Sequence, residues 1–208
     1  MELISLNVAD YIAQLGSDAP APGGGSASAL CGAQGAALSA MVAQLTLGRP
    51  KYAEFEAHCR EAAQRAGELQ KKLLEAIDRD TAAFNLVSAA FKLPKDTDEQ
   101  KAARRQAIAD ATLKATEVPF ETMRLACDAL DVCRSLVGKS NQSAASDLGV
   151  SALNLLCCVR GAWLNVLINL GGVKDEAARA RFQSEGEKLE AHAAQLAGEI
   201  FDCVRSSL

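Results

Sequence analysis

The chain has 208 residues, 49% of them hydrophobic and 4% aromatic, with a formal net charge of −4. Such a content excludes a disordered chain and leaves enough apolar surface for a real core. The charge is dispersed, with no basic block for nucleic acid and no acidic tail, and the opening MELISLNVADYIAQL lacks the cationic segment, apolar run and cleavage site of a signal peptide.

Residues 3–16 read as a short amphipathic helix with Leu3, Val8, Ile12 and Leu15 turned inward. The run Ala19-Pro20-Ala21-Pro22-Gly23-Gly24-Gly25 breaks the chain, and Ser26 is placed to cap a helix reaching about Leu47. That helix is almost entirely small or apolar, as befits the centre of a bundle. It is long enough to span a bilayer, but its richness in Gly and Ala and poverty in Leu make it a poor spanner. Gly48 to Tyr52 form a second break. A long helix over 53–91 carries Phe55, Cys59, Ala62, Ala66, Leu69, Leu73, Ile77, Phe84, Val87 and Phe91 inward on a 3-4 rhythm. After Leu93-Pro94-Lys95-Asp96-Thr97 a helix covers 98–117, and Pro119 opens another reaching 137. Residues 138–146 form the longest polar loop. Asp147 starts and caps a third apolar helix, which Gly171-Gly172 ends at residue 170, and a last helix covers 175–204. There is no strand pattern, repeat or linker, so the expected fold is an all-α, single-domain helical bundle over residues 1–208 with long central helices.

Seven cysteines are an odd number without a CxxC, set inside helical patterns, and read as buried, reduced thiols of a cytosolic protein. Neither His58 nor His192 has ligand spacing with a cysteine, so no metal site is expected.

Three features carry potential chemistry. Asp80 falls where the rhythm of the long helix asks for an apolar side chain, between Leu73 and Phe84. A carboxylate there needs a partner or a cavity, and its raised pKa suits a proton shuttle. The plainer alternatives are a cap for a helix starting at Thr81 and a pair with a basic residue. The second feature is a polar line, Asp147, Ser151, Asn154, Cys158, Gly161 and Asn165, on one face of an apolar helix. It lines either a polar cavity or a helix crossing. Asn165 and Asn169, four apart, suit the donor and acceptor edge of a heterocycle. The third is Gly23-Gly24-Gly25-Ser26, whose free N–H groups at a helix start favour an anion. It is neither a P-loop nor a dinucleotide fingerprint. Arg49, Lys51 and Tyr52 either hold a ring- and carboxylate-bearing ligand or solvate a loop. No GxSxG is present.

Several stretches together are similar to one family: PGGGSASAL (22–30), GAALSAMVAQLTLGRPKY (35–52), DRDTAAF (78–84), LPKDT (93–97), ATEVP (115–119), GKSNQSAASD (138–147) and NVLINL (165–170). The chain resembles the formiminotetrahydrofolate cyclodeaminase and methenyltetrahydrofolate cyclohydrolase family along nearly all its length. The resemblance implies an all-α bundle that dimerises, with a folate site near the glycine loop. It also implies that the family's catalytic acid, in an Asp-x-x-x-Phe segment, falls on Asp80, the residue that the helix rhythm singles out. Where the family's polar loop usually reads Gly-Asn-x-Asn, this chain reads Gly138-Lys139-Ser140-Asn141, so Asn141 takes one of the two amide roles. The expected function is hydrolysis of 5,10-methenyltetrahydrofolate, with formiminotetrahydrofolate cyclodeamination as the alternative and a non-catalytic helical ligand-binding dimer as a third reading. In that scheme Asp80 is the acid–base group. Gly23, Gly24, Gly25, Ser26, Asn141, Asp147, Asn165 and Asn169 contact the pterin, while Arg49 and Lys51, beside Tyr52, meet the glutamate tail. No cofactor beyond the tetrahydrofolate substrate is expected. Nor is a nucleic-acid or membrane partner, and the expected setting is the cytoplasm.

Overall fold

The computed structural model describes residues 2–208. Six α-helices follow in order: α1 Val8–Leu15, α2 Gly24–Gln44, α3 Glu56–Phe91, α4 Asp98–Leu136, α5 Ala145–Leu170 and α6 Glu176–Ser207, with 3-10 turns at Leu3–Ser5, Pro50–Phe55 and Gln142–Ala144. Among the described residues there is no strand. α2 packs against α3, α4 and α5, and α4 against α2, α3, α5 and α6, so these two helices lie at the centre of the bundle.

Local chemistry explains most of the boundaries. Asn7 caps α1 by accepting from the Asp10 amide. Thr97 and Gln100 form a reciprocal capping box at the start of α4. Asp175 accepts from the amides of Ala177 and Ala178 to start α6. Two expected caps act otherwise. α2 starts one turn earlier than expected, with Gly23 as a cap lacking a side chain, and Ser26 lies inside the helix. α5 starts at Ala145, so Asp147 sits in its first turn and caps nothing.

Three further expectations change. α1 buries Tyr11 rather than Val8 and Ile12, which are 81% and 55% exposed. The aromatic ring has more apolar area to hide, and it sets the rotation of the short helix. α4 runs unbroken through Pro119 instead of restarting there. The 3-4 rhythm of α3 is buried from Cys59 to Ile77, but Phe84 and Phe91 are exposed. Past Asp80, α3 extends beyond the first residue of α2 and loses the neighbour that covered its inner face.

The α2–α5 crossing depends on missing side chains. A Cβ on Gly32 would lie 2.7 Å from Cys158 Sγ, and one on Gly35 would lie 2.6 Å from Leu155 Cγ and 2.9 Å from the Ser151 carbonyl. A Cβ on Gly161 would strike Ser28 Oγ. The polar line on α5 is therefore partly crossing material. Ser151 donates to the Gly35 carbonyl at 2.7 Å and meets Ser39 Oγ at 2.9 Å, in a buried bond between the two helices. Asn154 donates within its own helix, to the Val150 carbonyl. All seven cysteines are free. Cys59, Cys127, Cys133 and Cys158 are buried, whereas Cys157 and Cys203 are exposed.

Gly35→Ala is expected to destabilise the fold by about 1–3 kcal/mol, since backbone on α5 must move to admit a methyl group. Urea unfolding checks this: the midpoint falls while the slope is retained.

Candidate active site

The site begins where α3 passes the first turn of α2. Gly25 presents bare backbone to Asp80, and a Cβ there would fall within the carboxylate, 2.7 Å from Oδ2 and closer still to Oδ1. The first turn of a helix offers unpaired N–H groups and the positive end of its dipole. The anion that meets this glycine turn is the chain's own Asp80, not a group from outside. Asp80 is half-buried. Burial raises its pKa, and the Ser26 hydroxyl and amide pull it back in part. Desolvation wins, so the carboxyl holds its proton to higher pH than an ordinary aspartate.

Ser26 Oγ lies 2.8 Å from the Ile77 carbonyl, 3.1 Å from Asp80 Oδ2 and 3.2 Å from Thr81 Oγ1. A hydroxyl has one proton. When Ser26 donates to the Ile77 carbonyl, Asp80 Oδ2 faces a second lone pair and gains by carrying a proton itself. When Ser26 donates to Asp80, the carboxylate is favoured. The contact supports both protonation states, as an acid–base group requires.

Asp80 opens onto a pocket of about 310 Å³. Its walls are Pro20, Ala21 and Gly23 to Gly25 before and within α2; Asp80, Thr81, Ala83, Phe84 and Val87 on α3; Ala115 on α4; and Asn165, Ile168 and Asn169 on α5. The volume falls within the range of small-molecule sites. Phe84, Val87 and Ile168 give it apolar walls for a flat ring.

The two asparagines are fixed by backbone carbonyls. Asn165 Nδ2 donates to the Gly161 carbonyl at 2.8 Å, and Asn169 Nδ2 donates to the Ala115 carbonyl at 2.8 Å. The second bond follows from Pro119. A proline has no N–H to return to the carbonyl four residues earlier, so Ala115 keeps a free acceptor inside α4. Asn169 fills it from the neighbouring helix. With one N–H of each engaged, both side chains offer the pocket a carbonyl oxygen and a second N–H.

The structure thus brings together Gly23, Gly24, Gly25, Ser26, Asp80, Asn165 and Asn169. Arg49, Lys51, Tyr52, Asn141 and Asp147 do not join them. They lie toward the far end of α2, a helix of 21 residues, or roughly 30 Å at 1.5 Å per residue. There Asn141 and Tyr52 close the bundle. The Asn141 amide donates to Thr46 Oγ1, Asn141 Oδ1 accepts from the Ser143 amide, and Tyr52 Oη accepts from the Gln142 amide at 3.0 Å. Lys51 Nζ stands 5.3 Å from the centre of the Tyr52 ring. The long gap in sequence between the glycine turn and these loops is a full helix length in space.

Thr81, Ala115 and Ile168 escape a reading of the sequence. Pro119 held the only signal for Ala115, since a proline within a helical pattern frees the carbonyl four positions back. Ile168 looks like any apolar residue on an apolar helix.

Residues 7–188 match the family model described as formiminotransferase-cyclodeaminase. A methenyltetrahydrofolate cyclohydrolase of Methylorubrum extorquens is 39% identical over 198 residues, 95% of each chain. A formimidoyltransferase-cyclodeaminase of Sus scrofa is 34% identical over 92% of this chain, which spans 36% of that longer protein. The crystal structure of a formiminotetrahydrofolate cyclodeaminase from Thermotoga maritima superposes with a TM-score of 0.88 at 25% identity, covering 99% of this chain and 98% of that one. On the extent of these matches, the chain belongs to the formiminotransferase-cyclodeaminase family.

Proposed function

We propose that the protein is a folate one-carbon enzyme that hydrolyses 5,10-methenyltetrahydrofolate to 10-formyltetrahydrofolate. The observation that carries this reading is a carboxyl of raised pKa, clamped on the bare backbone of Gly25 at the wall of a pocket with apolar faces and two amide carbonyls. The bridging carbon of the substrate is cationic. A carboxylate beside it stabilises that charge. Water adds to the cationic carbon and Asp80 takes one of its protons, leaving a neutral hydroxyl adduct; that proton passes to N5 as the carbon–N5 bond breaks, and the hydroxyl proton is released to solvent as the formyl C=O forms on N10. The amide carbonyls of Asn165 and Asn169 accept from the N–H edge of the pterin, and Phe84, Val87 and Ile168 cover its faces. The name of the Methylorubrum extorquens relative supports hydrolysis.

Cyclodeamination is the second reading, favoured by the name of the Thermotoga maritima neighbour. There Asp80 donates a proton to departing ammonia, which a raised pKa also serves. Incubation with each folate and observation of the methenyl chromophore separates the two: it fades in hydrolysis and grows in cyclodeamination. Turnover of neither overturns both.

We further place the enzyme in the cytoplasm as a homodimer, without nucleic-acid or membrane partners and with no cofactor beyond its substrate. Val150, Leu153, Leu164 and Ile168 are exposed by 47–80% along α5, an apolar face that a second copy would cover. Light scattering is expected to give twice the 21.8 kDa of one chain.

Asp80→Asn is expected to lower kcat by about 10²-fold or more. In the wild type, kcat/KM falls as the pH drops through the raised pKa of Asp80, so the acid limb lies above the ordinary carboxylate range. The same shift affects stability. A carboxyl with a higher pKa folded than unfolded loses stability as pH rises between the two values, and the cost is fully present above the folded one. Asp80→Asn is therefore expected to melt at a higher temperature than the wild type near neutral pH while being inactive. Gly25→Ala is expected to displace the carboxylate and cost about 10²-fold in kcat while the protein stays folded by circular dichroism.

A further inference from the structure

One buried hydroxyl takes no part in the contacts described so far. Tyr11, the buried residue of α1, is 6% exposed and packs with Leu3, Ala29, Ala76 and Ile77. Its Oη is buried and has no hydrogen-bond partner. A phenylalanine would fill the same space without stranding a donor, so the hydroxyl costs stability at this position. Breaches of this kind gather at functional sites.

Its place in the fold gives the hydroxyl a purpose. Ile77 lies one turn before Asp80 on α3, and its carbonyl competes with Asp80 for the single proton of Ser26. Ala29 lies three residues after Ser26 on α2. Tyr11 therefore sits behind the Ser26–Asp80 contact and is not among the residues lining the pocket. Three titratable groups bear on it: Asp80 and Asp78 from α3, and Cys31 from α2. After burial itself, the charge of Asp80 is the largest cause raising the Tyr11 pKa. The other two have contacts of their own. Asp78 Oδ1 accepts from the Leu3 amide at 2.6 Å, and Cys31 Sγ meets Cys157 Sγ at 3.8 Å. Asp80 keeps the Ser26 amide but must share the hydroxyl donor, because Ser26 Oγ lies closer to the Ile77 carbonyl than to it.

We infer that Tyr11 is a positioning residue for Asp80, its hydroxyl being the donor that the carboxylate takes up as it ionises, so that Ser26 keeps its bond to Ile77. α1 has eight residues and only Tyr11 buried, so little packing resists a shift of this helix that carries the hydroxyl toward Asp80. The inference rests on the acid–base role of Asp80 given above.

The test is a carboxyl 13C NMR titration of Asp80, assigned by the resonance missing in Asp80→Asn, in the wild type and in Tyr11→Phe. Loss of a donor to the ionised form is expected to raise the Asp80 pKa by about one unit in Tyr11→Phe. The acid limb of kcat/KM moves up with it while KM holds. Asp80 titrating alike in both proteins overturns the inference. The titration does not depend on turnover, so a protein inactive on folates sinks the proposed function while this inference is judged separately. Should Tyr11→Phe fail to fold, the reciprocal measurement decides. The chain has two tyrosines, and the ring 13C signal of Tyr11 is expected to titrate at lower pH in Asp80→Asn than in the wild type. An unmoved Tyr11 overturns the inference.

Discussion

The molecule is organised around a carboxylate lying on a glycine. Asp80 approaches the first turn of α2 so closely that no side chain fits at residue 25. That contact joins two opposed effects. Helix-start amides and the Ser26 hydroxyl favour the charged form, while burial among apolar neighbours opposes it. Because burial prevails, the carboxyl holds its proton to higher pH than a solvated aspartate does. A solvated aspartate at the same place would be a surface anion, and a deeply paired one would be a structural ion pair.

Small residues make the surrounding frame possible. Gly32, Gly35 and Gly161 let α2 and α5 approach until side chains on one meet the backbone of the other. The close approach carries Asn165 to the mouth of the glycine turn, where its Nδ2 lies 3.7 Å from a Cβ built on Gly24. On the other side, Pro119 leaves the Ala115 carbonyl free, and Asn169 is drawn to it. Each polar wall of the pocket thus has a backbone cause: an absent Cβ in one case and an absent N–H in the other. Rigid carbonyl partners hold both amides in place, which is the preorganisation a specific site needs.

The other end of the bundle shows the same chemistry in a structural role. The Asn141 amide donates to Thr46 Oγ1 and the Gln142 amide to Tyr52 Oη, and these two bonds tie the segment after α2 to the loop before α5. Residues rich in donors, acceptors and aromatic character look alike in a sequence whether they close a loop or meet a ligand. What separates them is the shape of the space beside them. Phe84 makes the reverse point. Its spacing on α3 reads as core, yet α2 has already begun where Phe84 would need a neighbour, and the ring lines the pocket instead.

The helical class, the central place of α2, the breaks at the glycine turn and the polar loop, and the oddity of an acid at position 80 were all written in the order of residues. These rest on local properties: propensity, periodicity of 3.6, and the cost of charge in an apolar row. Distances across the bundle were not. Which residue α1 buries, whether α4 continues through Pro119, and which polar residues share a pocket with Asp80 depend on how helices cross. Crossing geometry is set by packing between elements distant in sequence, through single missing atoms such as the Cβ of Gly25 and the N–H of Pro119. Their effect appears only once the partner helix is in place.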